Sequence, residues 1–166
     1  MGRDSNIILT CAGLTEACAP PAPEGYTLRA FRKGDERTWY DVWQRADKLG
    51  QIDRTDIYKE FAAHRQLIPD RMFFVDYEDE SIATGSVWIT DKHRSYPQHE
   101  LWGQLHSIAV VPEHQGKGVG KWLCRNLMNA SLEIGYKNLY VETSRDREDA
   151  VRLYIALGFE NSNDII

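Results

Sequence analysis

Leu105 to Lys121, LHSIAVVPEHQGKGVGK, is the stretch whose reading decides the fold. Leu105 to Val111 is mostly apolar or β-branched and is bounded by Pro112, which predicts a buried strand. Gln115 to Gly120 carries Gly116, Gly118 and Gly120 at every second position. It runs straight into a helical apolar stripe of Val119, Trp122, Leu123, Leu127, Ala130 and Ile134. A strand, a glycine turn and a helix start together make an anion site. The first N–H groups of the helix lack intrahelical acceptors, the dipole favours negative charge, and missing Cβ atoms let a phosphate approach.

Two familiar anion loops fail on spacing. A Walker-type loop needs Gly, four residues, then Gly-Lys-Ser/Thr, but here Gln115 stands at the first position and Trp122 follows Gly120-Lys121. The dinucleotide fingerprint G-x-G-x-x-G would need its third glycine one residue later, and in a first βαβ unit. What fits is Q-x-x-G-x-G through Gln115, Gly118 and Gly120, preceded by Val110-Val111-Pro112. This resembles the acetyl-CoA-binding signature of the GNAT acyltransferase superfamily. A second motif reinforces it: Ala150-Val151-Arg152-Leu153-Tyr154 with Gly158-Phe159 resembles that family's closing A-x-x-L-Y-x-x-x-G-F. The resemblance covers roughly residues 102 to 160, while residues 25 to 90 match only in their order of elements.

Composition bounds the rest. A chain of 166 residues suits one domain with a real core. Hydrophobic residues at 42% and charged residues at 27% describe a globular protein, and a net charge of −5 argues against general nucleic-acid affinity. The apolar runs are too short to span a bilayer, so no membrane partner is expected. Cys11, Cys18 and Cys124 show neither metal-ligand spacing nor a disulfide framework, which makes a reducing cytoplasm the expected setting and a metal site unexpected. The run from Asn6 to Ala19 is broken by Thr10, Thr15 and Glu16 and does not read as a secretion signal.

In chain order, residues 1–24 end in Pro20-Pro21-Ala22-Pro23 and read as an N-terminal tail or arm, leaving 25–166 as the domain. Tyr26 to Phe31 alternates as a first strand. Gly34-Asp35 opens a helix with Trp39, Val42, Trp43 and Ala46 on one face, and Ile57 to His64 predicts a second helix with Tyr58, Phe61 and Ala62 on one side. Lys48 to Thr55 reads as a loop between them. Met72 to Tyr77 and Ser81 to Thr90 predict a hairpin with its turn at Asp79-Glu80 and a bulge at Gly85. Asp91 to Glu100 reads as an exposed connection. After the long helix, stopped by Gly135, come a strand at Asn138 to Thr143, a helix capped by Ser144 or Asp146, and one short strand within Asn161 to Ile166. That order predicts an α/β (α+β) class: a single domain with a mixed central sheet flanked by helices. It is also the order of the GNAT fold.

Acyl transfer from a thioester to an amine needs a held cofactor, a deprotonated amine, a stabilised oxyanion and a protonated leaving thiolate. The backbone of Gln115, Gly116, Lys117, Gly118, Val119, Gly120 and Lys121 is the expected diphosphate cradle, with Lys117 or Lys121 adding charge. The resemblance implies that the pantetheine arm pairs with the strand at Ile108, Ala109 and Val110, and that the Val110 N–H faces the oxyanion. It also places Tyr154 at the tyrosine that often serves as general acid. A phenol of pKa about 10 can protonate a thiolate of pKa about 8.5. The same residue also fits a core aromatic on an amphipathic helix. Strand alternation puts Gln104, His106, Ile108 and Val110 on one face and Ser107 and Ala109 on the other, so His106 is the titratable group on the cofactor face. Its position resembles the histidine of arylalkylamine N-acetyltransferases. A structural histidine fits too, and Glu100 and Glu142 are second choices for the base. Arg147 stands where many members of the family carry Asn, and it reads either as a phosphate contact or as a helix cap. His64, His93, His99 and His114 read as exposed loop or helix residues.

The resulting expectation is an acetyl-CoA-dependent N-acetyltransferase working by direct transfer in a ternary complex. Its acceptor would be a small-molecule primary amine or, within the same class, a peptide amine. A rival reading is an acyl-CoA sensor of the same fold without turnover. A third is a homodimer subunit pairing through Trp39, Trp43 and Trp88.

Overall fold

The computed structural model describes residues 6–16, 19–47, 57–89 and 102–161. Its strands are β1 (Asn6–Cys11), β2 (Tyr26–Ala30), β3 (Met72–Tyr77), β4 (Glu80–Trp88), β5 (Trp102–Val110), β6 (Asn138–Ser144) and β7 (Glu160–Asn161). Its helices are α1 (Asp35–Ala46), α2 (Ile57–Glu60), α3 (Ile68–Arg71), α4 (Val119–Ile134) and α5 (Glu148–Ala156), with 3-10 turns at Ala62–Leu67 and Pro112–His114. Hydrogen bonds order the strands β2-β3-β4-β5-β6-β1-β7 in one mixed sheet flanked by helices, a single-domain arrangement of the expected class. Within it the chain forms two compact units, interleaved in sequence. One holds Met1–Ala19, Val87–His106 and Arg125–Ile166, and the other Pro20–Ser86 and Ser107–Cys124.

In the first unit, β5 and β6 pair in parallel over Trp102–Gln104 and Asn138–Tyr140. Parallel neighbours need a long crossover, and α4 supplies it. The segment expected as a tail or arm proves different: Asn6–Cys11 is a full strand, antiparallel to β6 on one side and to β7 on the other. Ile7 and Leu9 alternate inward and are buried, which is what fixes the strand there. The terminal strand begins at Glu160, and the rest of the expected Asn161–Ile166 segment lies outside the described residues. Neither Ser144 nor Asp146 caps α5. Its N-cap is Arg147, while the Ser144 hydroxyl bonds Asp146 within the preceding turn.

In the second unit, β2, β3 and β4 form an antiparallel meander. The hairpin turns at Glu78-Asp79, one residue before the expected place. Both residues have positive φ (48° and 64°), as a type I′ turn requires. The bulge is also displaced: Val75 faces Ala83 and Asp76 faces Ser81, so Ile82 is the extra residue and Gly85 pairs regularly with Phe73. The expected second helix is broken into α2, a 3-10 turn containing non-helical His64, and α3 with Pro69 in its first turn. Phe61 is buried, but Tyr58 is 42% exposed, so the two do not share a face. The Lys48–Thr55 and Asp91–Glu100 connections lie outside the described residues.

The start of α1 is fixed by a half-buried ion cluster. Asp35 takes Arg29 Nη1 at 2.6 Å and the Arg32 backbone N–H at 2.6 Å, and Arg29 Nε also reaches Asp76 at 2.7 Å. The Arg29 guanidinium sits 4.8 Å from the Phe74 ring centroid. Trp39, Trp43 and Trp88 are all buried, at 0%, 5% and 7% exposure, so the dimer surface expected from them does not exist. Their apolar area belongs to the core, the default for large aromatics at helical or strand spacing.

Candidate active site

The glycine loop forms as its sequence dictates. Gly116 and Gly118 take left-handed φ of 73° and 81°, and open space lies where their Cβ atoms would be. The Trp122 N–H donates to the Gly118 carbonyl at 3.0 Å and is the first to find a helical acceptor. Val119, Gly120 and Lys121 therefore fill the first three helical positions, whose N–H groups have no intrahelical partner. The fan is narrower than expected at its start, because the Gln115 N–H donates to the Pro112 carbonyl at 3.2 Å. Gln115 braces the loop instead: its Nε2 donates to the Val110 carbonyl at 2.8 Å. Lys117 and Lys121 are exposed. Open glycines, unpaired helix-start amides and two lysines fit a diphosphate.

On the strand side, the Val111 N–H donates to the Ile82 carbonyl at 2.9 Å. Neighbouring amides of an extended strand alternate in direction, so the Val110 N–H is expected to turn the other way from that of Val111. His114 is not the exposed loop residue expected. Its Nδ1 lies 2.7 Å from the Tyr26 hydroxyl, and its ring packs 5.6 Å and 5.1 Å from the rings of Tyr26 and Tyr77. That clamp fastens the turn just ahead of Gln115.

Ser107 departs from extended backbone geometry. It has φ +53° in mid-strand, a conformation costing about 1–3 kcal/mol for a side chain of this kind. His106, Ile108 and Val110 are half-exposed, with Ser107 and Ala109 buried between them, as read from the sequence. Gln104 does not join the exposed set. It is buried, and its Oε1 accepts the Tyr140 hydroxyl at 3.0 Å. The Ser107 hydroxyl donates to Glu60 Oε1 at 3.4 Å. No periodicity signals that contact, since the two positions are 47 residues apart.

Tyr154 and His106 lie in the first unit, and the loop with Ser107 to Val110 in the second. Tyr154 sits on α5 at 5% exposure, its ring 5.8 Å from that of Phe159, and its carbonyl accepts the Phe159 N–H at 3.0 Å. The L-Y-x-x-x-G-F pattern therefore closes the C-terminal end of a helix as well as placing a phenol. Arg147 occupies the N-cap position of α5 without a side-chain cap bond, and Glu142 is exposed on β6. Glu100, Cys18, His93 and His99 lie outside the described residues. Burial pushes the Cys124 thiol up to about 12, and the half-buried Cys11 thiol is raised by the same cause. Neither is a nucleophile at neutral pH. Among the described residues no three or more His, Cys, Asp or Glu group as metal ligands, and no helix is long and apolar enough to cross a membrane.

Comparison with known proteins bears on the family and the fold. The profile of the Acetyltransferase (GNAT) family matches residues 28–159. The mycothiol acetyltransferase of Pseudarthrobacter chlorophenolicus is 30% identical over 151 residues, covering 87% of this chain and 46% of that protein. This chain thus spans about half the length of such relatives. Among solved structures, a GCN5-related N-acetyltransferase from Sphaerobacter thermophilus superposes with a TM-score of 0.75 at 20% identity, over 94% of this chain and 48% of that one. AAC(6')-Iy, in complex with the bisubstrate analogue CoA-S-monomethyl-acetylneamine, gives a TM-score of 0.65 at 19% identity, covering 85% and 95%. At these identities the superpositions speak for the fold.

Proposed function

The chain belongs to the GNAT acetyltransferase family, and on that premise we propose that it is an N-acetyltransferase moving an acetyl group from acetyl-CoA to a small-molecule primary amine, with both substrates bound together. The observation that carries this reading is the loop: left-handed Gly116 and Gly118 lead into helix-start amides at Val119, Gly120 and Lys121. These amides, with Lys117 and Lys121, would hold the diphosphate of the cofactor. When bound, acetyl-CoA supplies an activated thioester.

The chain's own residues do the rest. The backbone of Ile108, Ala109 and Val110 orients the cofactor arm by strand-like pairing, and the Val110 N–H is the donor for the thioester oxygen. Tyr154 is the phenol that gives the leaving thiolate its proton, and its burial limits competition from water. His106, half-exposed on β5, takes the proton from the amine, directly or through water. Direct transfer suits the cysteines, because a Cys124 thiol raised to about 12 stays protonated at neutral pH and does not attack the thioester. Free Cys11 and Cys124 thiols also suit a reducing cytoplasm.

The small-molecule acceptor is favoured by the name of the relative, mycothiol acetyltransferase. The test is a thiol-release assay with acetyl-CoA against amines, amino sugars and peptides. Turnover raised by an amine, and lowered about 100-fold in Tyr154→Phe with CoA affinity kept, is the expected outcome. Tight CoA binding with no acceptor-dependent release would instead make the chain a sensor.

A further inference from the structure

We propose that His114 is a positioning residue for the cofactor: locked onto Tyr26 and Tyr77, it sets the glycine loop in its phosphate-binding shape before coenzyme A arrives. The inference rests on the acetyl-CoA reading above and brings residues from a distant part of the chain into the binding of the diphosphate. Tyr26 and Tyr77 face each other across β2 and β3, with ring centroids 4.7 Å apart. The His114 ring meets both, edge-on to Tyr26 at 5.6 Å and tilted to Tyr77 at 5.1 Å, and its Nδ1 lies 2.7 Å from the Tyr26 hydroxyl. Two ring contacts and a short hydrogen bond restrain the imidazole in both position and orientation. A second tie to this turn, from Arg45 to Glu113 at 3.9 Å, lies at the surface and is screened by water, so it holds less.

The loop needs such an anchor. On its far side Val119 is buried in the first turn of α4. Between Val119 and His114 stand only Gln115 to Gly118, a span whose two glycines both take left-handed φ. Glycine reaches φ of either sign about equally, so this span tied at one end alone would populate many shapes. A ligand that needs one shape binds more weakly in proportion to the fraction of free protein that holds it. The His114 N–H donates to the Val111 carbonyl at 3.0 Å and the Gln115 N–H to the Pro112 carbonyl at 3.2 Å. A ring fixed at residue 114 therefore fixes the backbone that enters Gly116. The clamp lowers the entropy lost when the amides close on a diphosphate, and it does so without touching the ligand.

The experiment compares the affinity of two probes, coenzyme A and S-acetylpantetheine, for the wild type and three variants by calorimetry and NMR titration. The second probe keeps the thioester arm and lacks the diphosphate, so only the first reports on the loop. His114→Ala is expected to raise the coenzyme A Kd about tenfold while the S-acetylpantetheine Kd stays within about twofold. Tyr26→Phe removes the hydroxyl and keeps the rings, and is expected to raise the coenzyme A Kd about threefold. His114→Asn, which gives the Tyr26 hydroxyl a polar partner again, is expected to recover part of the loss. In the ligand-free protein, 15N order parameters at Gly116 and Gly118 are expected to fall in His114→Ala. An unchanged coenzyme A Kd in both His114→Ala and Tyr26→Phe overturns the inference and leaves the transferase reading intact. Equal losses for the two probes overturn it as well, by showing general damage to the fold. Should His114→Ala fail to fold, Tyr26→Phe decides by the same comparison of probes. A wild type that binds no coenzyme A overturns the acetyl-CoA reading, and this inference with it.

Discussion

Asp35 accepts hydrogen bonds from Arg29 and from the Arg32 backbone N–H, at 11% side-chain exposure. Burial by itself raises its pKa, but the bonds from Arg29 and Arg32 outweigh that and hold the carboxyl below its ordinary 3.8. The sign follows from linkage. A depressed folded-state pKa adds stability that is complete above the unfolded value and disappears as pH falls through the folded one. The stability of the wild type against urea should therefore fall steeply below pH about 4. Asp35→Asn should cost about 3 kcal/mol at pH 7, with the gap closing as the pH drops. A gap that stays constant with pH would show that the charge of Asp35 does not matter. The same scale explains why His114 and Ser107 escaped the sequence. A histidine clamped between two tyrosines and a serine with left-handed backbone are defined by neighbours far along the chain, not by local pattern.

At the scale of elements, what could be read was whatever a short-range rule governs. The β5–loop–α4 unit was legible because apolar continuity, alternate glycines and a 3–4 stripe each act locally. The buried face of α4 runs through Val119, Trp122, Leu123 and Leu127, with only Ile134 of the expected stripe exposed. β1 was not legible. Six residues ahead of a proline-rich spacer carry no mark of the two strands between which they lie. The Ile82 bulge was misplaced to Gly85 because register, not composition, decides which residue is extra. Strand β1 gives a direct test. Leu9 is 1% exposed and pairs with Val141 and Asn161, so Leu9→Ala should lower unfolding free energy by about 3 kcal/mol in urea melts. A loss under about 1 kcal/mol would mean that β1 frays and that the tail reading was nearer the truth.

At the scale of the whole molecule, the chain carries the profile of its family from residue 28 to 159, within about half the length of the relatives that match it. The family architecture was legible because two motifs at opposite ends of α4–β6–α5 agree: Q-x-x-G-x-G and L-Y-x-x-x-G-F bracket one crossover. The acceptor was not legible, because neither the connection after the first helix nor the C-terminal segment carries a motif that names a substrate. The claim on which activity depends is that free amides at the start of α4 receive a diphosphate. The most direct measurement is a titration of the uniformly 15N-labelled protein with coenzyme A, followed by amide resonances. Saturable shifts concentrated at Gly116, Gly118, Val119, Gly120 and Lys121 are the result this account expects. Those amides standing still at millimolar coenzyme A would contradict it.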